Sequence, residues 1–455
     1  MRKTTTIIIS KAAIFFLDKL GRGTAFPGKI ALIMDKYIMN KIKIKGKVII
    51  ITGSSGKGST SSLIAKILRG SNYSVTFNDG ASNLTNGILT TLLKDTDFKG
   101  VINSDFLVLE IDERYVKEIA KVIKPDYLLI TNITRDQSPR NVHFDNVANE
   151  IKKGLHVNTH LILNCDDPYS NTFITNRDKV TLFGIEKTKY SYPKKINKNL
   201  NMEYCPKCNN KLNYEYYHVE SYGKFNCENC SFKREKPHYQ INSIDFESRE
   251  ITINNKYKTC IKDGILHSAY TALGAFSVCG LLGIDLTKIT NEMNSHCKNY
   301  KNDFIIKYKN INIYNLFTKN ENSSTFNYAL TFVDRIKDKK NVVIGWSVIS
   351  RRYDYKDISW IYDIDFEILK NHDIKKLICF GPNSDEIEQR FILAGFDKKM
   401  IIKLKDTQEL LKYIVKNPKV NFYNIVDSTY SNKKIFKNFS EYLYETEKKL
   451  GDLDD

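Results

Sequence analysis

Two short patterns in this chain could do chemistry. The first is Thr52-Gly53-Ser54-Ser55-Gly56-Lys57-Gly58-Ser59-Thr60. Gly53, Gly56 and Gly58 let the backbone turn tightly and bring amide N–H groups onto phosphate oxygens. Lys57 supplies a point charge, and Ser59 can place its hydroxyl on Mg²⁺. The spacing is shorter than the common GxxxxGK[ST] loop, and a Gly/Ser turn alone would mean little. Here a strand is predicted before it (Val48–Thr52) and a helix after it (Ser59–Arg69), the setting a phosphate loop requires.

The second pattern is Cys205-Pro206-Lys207-Cys208 and Cys227-Glu228-Asn229-Cys230, two knuckles with eighteen residues between them. That spacing suits tetrahedral Zn²⁺, and four thiolates close the shell, so the ion would be structural. Tyr214, Tyr216 and Tyr217 lie between the knuckles. A basic, aromatic ribbon could bind nucleic acid, but holding an inserted segment together is the simpler expectation. The other five cysteines are scattered and form no secreted disulfide pattern, which suits a reducing cytoplasm.

Acids gather at predicted strand ends: Glu110-Ile111-Asp112-Glu113, then Asn132 with Arg135-Asp136-Gln137, then Asn164-Cys165-Asp166-Asp167-Pro168. One such cluster is usually a solvated turn or a helix cap. Three at one sheet edge beside a phosphate loop point to a nucleotide–metal site. The acid-rich stretch 351–367 reads by itself as a surface loop, with Ser359 or Asp363 capping the next helix.

Placing these residues requires a parallel sheet. Phe106–Ile111, Tyr127–Thr131 and His160–Asn164 are continuous apolar runs alternating with helical segments, as expected of strands covered on both faces. The rhythm breaks near Tyr204–Pro237. It resumes as a second α/β series after Asn302, with strands expected at Asn310–Tyr314, Asn341–Ile344, Lys376–Phe380 and Val420–Ile425. The expected division is a helical segment over 1–45, an ATP-binding domain over 46–300 carrying a ribbon at 203–235, and a second α/β domain over 301–455. An amphipathic helix is predicted over Ile8–Leu20, with Ile8, Ala12, Phe15, Phe16 and Leu20 on one stripe that is expected to pack on the body, the alternative being contact with a membrane surface. Lys11, Asp18 and Lys19 interrupt it before membrane-spanning length. The formal charge of +18 admits nucleic acid, an anionic membrane or phosphorylated substrates, and equally a compositional bias.

Together the motifs resemble the family of MurT-type subunits of lipid II isoglutaminyl synthase, relatives of the Mur ligases. The likeness extends over nearly the whole chain. It includes Gly21-Arg22-Gly23-Thr24, Pro27-Gly28, the glycine loop, Gly80-Ala81-Ser82-Asn83-Leu84, the three acidic clusters, the Cys₄ ribbon and Asp357-Ile358-Ser359-Trp360-Ile361-Tyr362-Asp363. The resemblance implies an α/β fold: a Mur-ligase-type central ATPase domain with a parallel sheet and inserted zinc ribbon, followed by a second α/β domain. It implies an ATP-dependent carboxylate–amine ligase that activates the α-carboxylate of D-Glu in lipid II. A separate GatD-type glutaminase would supply ammonia to give D-isoglutamine.

By the same resemblance, Gly53, Ser54, Ser55, Gly56, Lys57, Gly58, Ser59, Thr60 and Asn83 would bind ATP. Ser59 and Glu110 would hold Mg²⁺, and Cys205, Cys208, Cys227 and Cys230 would hold Zn²⁺. Glu110 and Asp357 would be the catalytic carboxylates, Asp357 being lent to the partner's Cys–His pair. The implied setting is cytoplasmic, at the inner face of the membrane, with no nucleic acid. Four departures stand out, one being that the family's Leu-Ala-Lys-Asn-Pro segment reads Leu316-Phe317-Thr318-Lys319-Asn320. Gly58-Ser59 is closer to folylpolyglutamate synthase. Ser268 and Thr271 stand where amide side chains are expected, and no Gly-Arg-Met occurs near Tyr300–Asp303. A stand-alone amino-acid ligase and a degenerate scaffold therefore remain open alternatives.

Overall fold

The computed structural model describes residues 2–19, 24–79, 82–135, 143–174, 178–198, 202–298, 304–347, 359–431 and 433–451. The chain opens with helices α1 (Arg2–Lys19) and α2 (Phe26–Met34), followed by β1 (Lys43–Ile44), β2 (Lys47–Thr52) and α3 (Lys57–Gly70). Next come β3 (Val75–Phe77), α4 (Thr85–Asp95), β4 (Val101–Ile102), β5 (Phe106–Glu110), α5 (Val116–Val122) and β6 (Tyr127–Ile130). Then follow α6 (Phe144–Lys152), β7 (His160–Asn164), α7 (Pro168–Asn171) and β8 (Val180–Ile185). A hairpin, β9 (Asn213–Val219) and β10 (Tyr222–Asn226), interrupts the series before β11 (Tyr239–Asp245), β12 (Glu250–Ile253) and β13 (Tyr257–Cys260).

These strands form a nine-stranded sheet of order β13-β12-β11-β8-β7-β6-β2-β5-β3, parallel from β11 to β3. Successive residues of β2 face opposite cores: Ile49 and Ile51 one, Val48 and Ile50 the other. That is why the run is apolar without alternation. β2 lies between β5 and β6, so the chain leaves it at the place where strand order reverses. Open α/β sheets bind ligands in such crevices.

Two helices, α8 (Leu266–Leu281) and α9 (Leu286–Lys298), lead to the second sheet. It uses β14 (Ile305–Tyr308), β15 (Ile311–Thr318), α10 (Ser323–Arg335), β16 (Lys340–Gly345), β17 (Ile374–Phe380), α11 (Ser384–Leu393) and β18 (Ile401–Leu404). It closes with α12 (Thr407–Lys416), β19 (Asn421–Asp427) and the helices α13 (Ser428–Ser431), α14 (Lys434–Lys437) and α15 (Phe439–Gly451). The order β14-β15-β19-β16-β17-β18 is parallel except at β14.

Three expectations need correction. The N-terminal helix forms, but Thr6, Ile7, Ser10 and Ile14 face the body while Ile8, Phe15 and Phe16 point outward. The described part of 351–367 is no surface loop. Trp360, Ile364 and Phe366 are buried, Ser359 opens a 3₁₀ turn, Asp363 is paired with Arg135, and a short 3₁₀ turn (Phe366–Asn371) replaces the expected helix. Two of the scattered cysteines meet: Cys260 at the end of β13 is disulfide-bonded to Cys297 on α9, with Cα atoms 6.2 Å apart.

Candidate functional site

The glycine loop joins β2 to α3. Gly53 (φ +128°) and Gly56 (φ +81°) carry the turn. A Cβ at Gly53 would lie 2.3 Å from Thr131 Oγ1, so no side chain fits there. The end of β6 stitches the loop in place. Asn132 Oδ1 accepts from the Ser55 amide at 3.0 Å, and Asn132 Nδ2 and Thr131 Oγ1 both donate to the Ser55 carbonyl. Ser54 Oγ donates to the Thr134 carbonyl and accepts from its amide. The cradle is thus held rigid before any ligand arrives, which limits what ordering it costs to bind one.

Lys57 and Glu110 face the same cleft, of about 1130 Å³. Lys57 Nζ is buried and donates to the Gly53 carbonyl and, at 2.6 Å, to Glu113 Oε1. Burial disfavours its charge, but Glu113, Asp112 and Glu110 outweigh that and hold its pKa above the usual lysine value. Asn83 Nδ2 donates to Glu110 Oε1 at 3.0 Å, and Asn78 fixes the Glu110 backbone from both sides. A Cβ at Gly58 would sit 3.1 Å from Glu110 Oε2, so the glycine lets the carboxylate approach the first turn of α3. Ser59 lies exposed in the cleft beside it. A hydroxyl and a carboxylate on one wall are a hard-oxygen donor set of the kind Mg²⁺ takes alongside phosphates and water. Thr60 is turned inward, 1% exposed, toward Gly274.

The second sheet supplies the facing wall. Lys319 Nζ, just past β15, donates to the Ser54 carbonyl at 2.7 Å. Asn320 lines the cleft while 3% exposed, and neither atom of its amide has a hydrogen-bond partner. A buried amide left unmatched is costly unless a ligand or water answers it. His267, at the start of α8, comes to 3.0 Å from where a Gly56 Cβ would be, and burial lowers its pKa. Ser268 and Thr271 also line the cleft. Local motif reading missed His267 and the grip of Glu113 on Lys57. An ionisable residue opening the small-residue helix was the available signal for His267.

The third acidic cluster is not part of this cleft. Asp166 is fully buried, accepting from Arg234 Nε at 2.7 Å, Tyr270 Oη at 2.8 Å and the Ile185 amide. Asp167 caps α7 and accepts from the Ile133 and Tyr169 amides; burial raises its pKa to about 7. Both acids brace the sheet edge. Arg234→Leu would leave Asp166 buried without its cation and should cost about 3–5 kcal/mol, read from urea unfolding midpoints. A loss below about 1 kcal/mol would show that the pair does not hold the ribbon to the sheet.

The four cysteine sulfurs of the two knuckles lie within 4.8 Å of one another, with Cys205–Cys230 at 3.4 Å and Cys208–Cys227 at 3.3 Å. Tetrahedral zinc with bonds of about 2.3 Å sets sulfurs about 3.8 Å apart, so the donor set fits. Between the knuckles, β9 and β10 turn at Glu220-Ser221. Tyr216 and Tyr222 are buried, while Tyr214 and Tyr217 are half-buried and stack on each other with ring centroids 4.3 Å apart. The hairpin tip reaches the second sheet: Glu220 accepts from Ser324 Oγ at 3.0 Å and Asn327 Nδ2 at 2.8 Å.

Asp357, with Asp136 and Gln137, lies outside the described residues. The turn that follows it is anchored: Arg135, just past β6, donates to Asp363 and, at 3.0 Å, to Ser359 Oγ. Trp360 packs on Trp346 with ring centroids 5.3 Å apart.

Residues 51–232 match the Mur ligase middle domain and residues 319–432 the MurT ligase C-terminal domain. A lipid II isoglutaminyl synthase (glutamine-hydrolyzing) subunit MurT from Staphylococcus aureus (strain COL) is 30% identical over 407 residues, 88% of this chain and 90% of that one. Its counterpart from Streptococcus pneumoniae is 28% identical over 91% and 92%. Among solved structures, a pseudomurein peptide ligase type C from Methanothermus fervidus superposes with a TM-score of 0.66 at 22% identity, over 90% of this chain and 81% of that one. MurF ligase from Thermotoga maritima in complex with ADP gives 0.61 at 16%, over 92% and 84%. With a glycine loop at the strand-order reversal, a facing wall from a second sheet and this extent of identity, the chain belongs to the MurT family of ATP-dependent Mur-type ligases.

Proposed function

We propose that this chain is the ATP-using subunit of a lipid II isoglutaminyl synthase, working with a GatD-type glutaminase. The α-carboxylate of D-Glu attacks the γ-phosphorus of ATP, giving an acyl phosphate and ADP. Ammonia from the partner then attacks the acyl carbon, phosphate leaves, and the amide of D-isoglutamine remains. Lys57 and the loop amides would neutralise the transferring phosphoryl group. Ser59 and Glu110 would hold Mg²⁺, which would supply positive charge to offset that of the phosphates. The observation that carries this reading is one cleft in which Lys57, Ser59 and Glu110 of the first sheet face Lys319 and the unmatched amide of Asn320 from the second. A lipid II substrate favours a cytoplasmic chain working at the inner face of the membrane.

The test is co-expression with the glutaminase and assay of ATP- and glutamine-dependent amidation of lipid II in detergent. Amidation supports the reading. A stable complex that hydrolyses glutamine yet never amidates would overturn it. Gly58-Ser59 favours a second reading, a stand-alone amino-acid ligase; ADP release driven by a free amino acid without the partner would establish that instead.

The four cysteines would hold structural Zn²⁺. Cys205→Ser should therefore lower bound zinc from one ion per chain toward none and reduce the thermal midpoint, because metal binding is coupled to folding of the insert. Native protein containing no zinc by elemental analysis would sink the assignment.

A further inference from the structure

We propose that the outward face of α1, with the adjoining exposed residues of α2, is a docking surface for anionic lipid. This deepens the proposed function, because a membrane-bound substrate must be met at a bilayer. The body-facing side of α1 carries Thr6, Ile7, Ser10 and Ile14. The opposite arc carries Ile8, Ile9, Ala12, Phe15 and Phe16, and the four large residues are 42–65% exposed. Five apolar residues on one side of one helix is a stripe, not scatter. α2 continues the apolar exposure with Phe26 at 55% and Ile33 at 75%. Arg2 on α1 donates to the Met34 carbonyl, so the two helices lie side by side.

Charge selects the occupant. Between Met1 and Lys45 the chain has ten Lys and Arg against two Asp. Asp35 is buried and paired with Lys41, and Asp18 is paired with Lys94. Lys19 lies over the Phe15 ring, 4.3 Å from its centroid, and Lys29 and Lys36 are exposed on and just beyond α2. An exposed apolar stripe bordered by unneutralised lysines matches the boundary between anionic headgroups and acyl chains. A second copy of this chain would bring the same excess positive charge to the contact. Among the described residues no helix is long and apolar enough to cross a membrane, so the contact would lie along the surface.

The experiment is co-sedimentation of the full chain with vesicles of phosphatidylglycerol and phosphatidylcholine in equal parts, and of phosphatidylcholine alone, without ATP or lipid II. The chain should pellet with the mixed vesicles, and Phe15→Asp/Phe16→Asp should weaken this about tenfold or more. In detergent the same variant should amidate lipid II at the parental rate, which separates this proposal from the ligase reading. Equal pelleting of parent and variant would overturn the proposal. So would absence of pelleting, whether the variant changes the oligomeric state (a second copy covers the face) or lowers glutaminase co-purification (the partner does).

Discussion

Lys57→Ala should reduce ATP turnover about a thousandfold or more, the scale expected when a preorganised charge aimed at a transferring phosphoryl group is removed. Lys57 is the one lysine of the loop itself, and Lys319 reaches the Ser54 carbonyl from the opposite wall. The substitution also has a structural cost. Glu113 is 1% exposed and holds Lys57 at 2.6 Å, so alanine leaves a buried carboxylate without its cation. Stability should fall by about 3–5 kcal/mol. Lys57→Ala/Glu113→Gln should recover most of that loss and none of the turnover. The check is ADP release by the complex together with urea unfolding of both variants. Parental turnover in either variant would remove Lys57 from the phosphate site.

Asp357→Asn should lower the glutaminase activity of the complex by about a thousand- to ten-thousandfold, with ATP binding unchanged. A carboxylate behind a catalytic histidine fixes its tautomer and stabilises its charged form; asparagine keeps the shape and loses both effects. The residues after Asp357 are fixed from two sides, by Arg135 on Ser359 and Asp363 and by Trp346 against Trp360. Arg135 itself sits three residues beyond Asn132, which holds the Ser55 amide. The turn Ser359–Asp363 is therefore tied to the same strand end that shapes the phosphate loop. Glutamine hydrolysis at equal rates in both complexes would take Asp357 out of the partner's site.

Much of this was legible in the residues themselves. The phosphate loop is contiguous, and its strand and helix are strong local patterns. The central strands run apolar because both faces are covered. The cysteine knuckles announce themselves by spacing. What escaped was long-range or polar. Lys57–Glu113, Asp166–Arg234 and Glu220–Asn327 join residues 56, 68 and 107 apart, and nothing local marks either partner. Asp166 and Asp167 looked like strand-end acids of a metal site, yet burial and backbone amides make them braces. In α1 the period revealed a stripe but not the side covered, since Ile7 and Ile14 are as apolar as Ile8 and Phe15. Small Thr6 and Ser10 let the other side pack closely. The helices α9 and α15 went unread because much of each is polar and solvent-facing.

The hairpin tip has a mechanical consequence. Glu220 is gripped by α10, while Tyr222 packs edge-on to Tyr270 of α8 and Tyr328 of α10, with centroids 5.8 and 6.2 Å away. Tyr328 is part of the cleft wall. The hairpin is thus a strut whose length is set at one end by the cysteine cluster and felt at the other as the width of the nucleotide slot. Stripping the proposed Zn²⁺ would loosen the strut before it melted either sheet. Nucleotide affinity should then fade ahead of the fold, so that the proposed Zn²⁺, far from any bond being made, would act as a dial on cleft width.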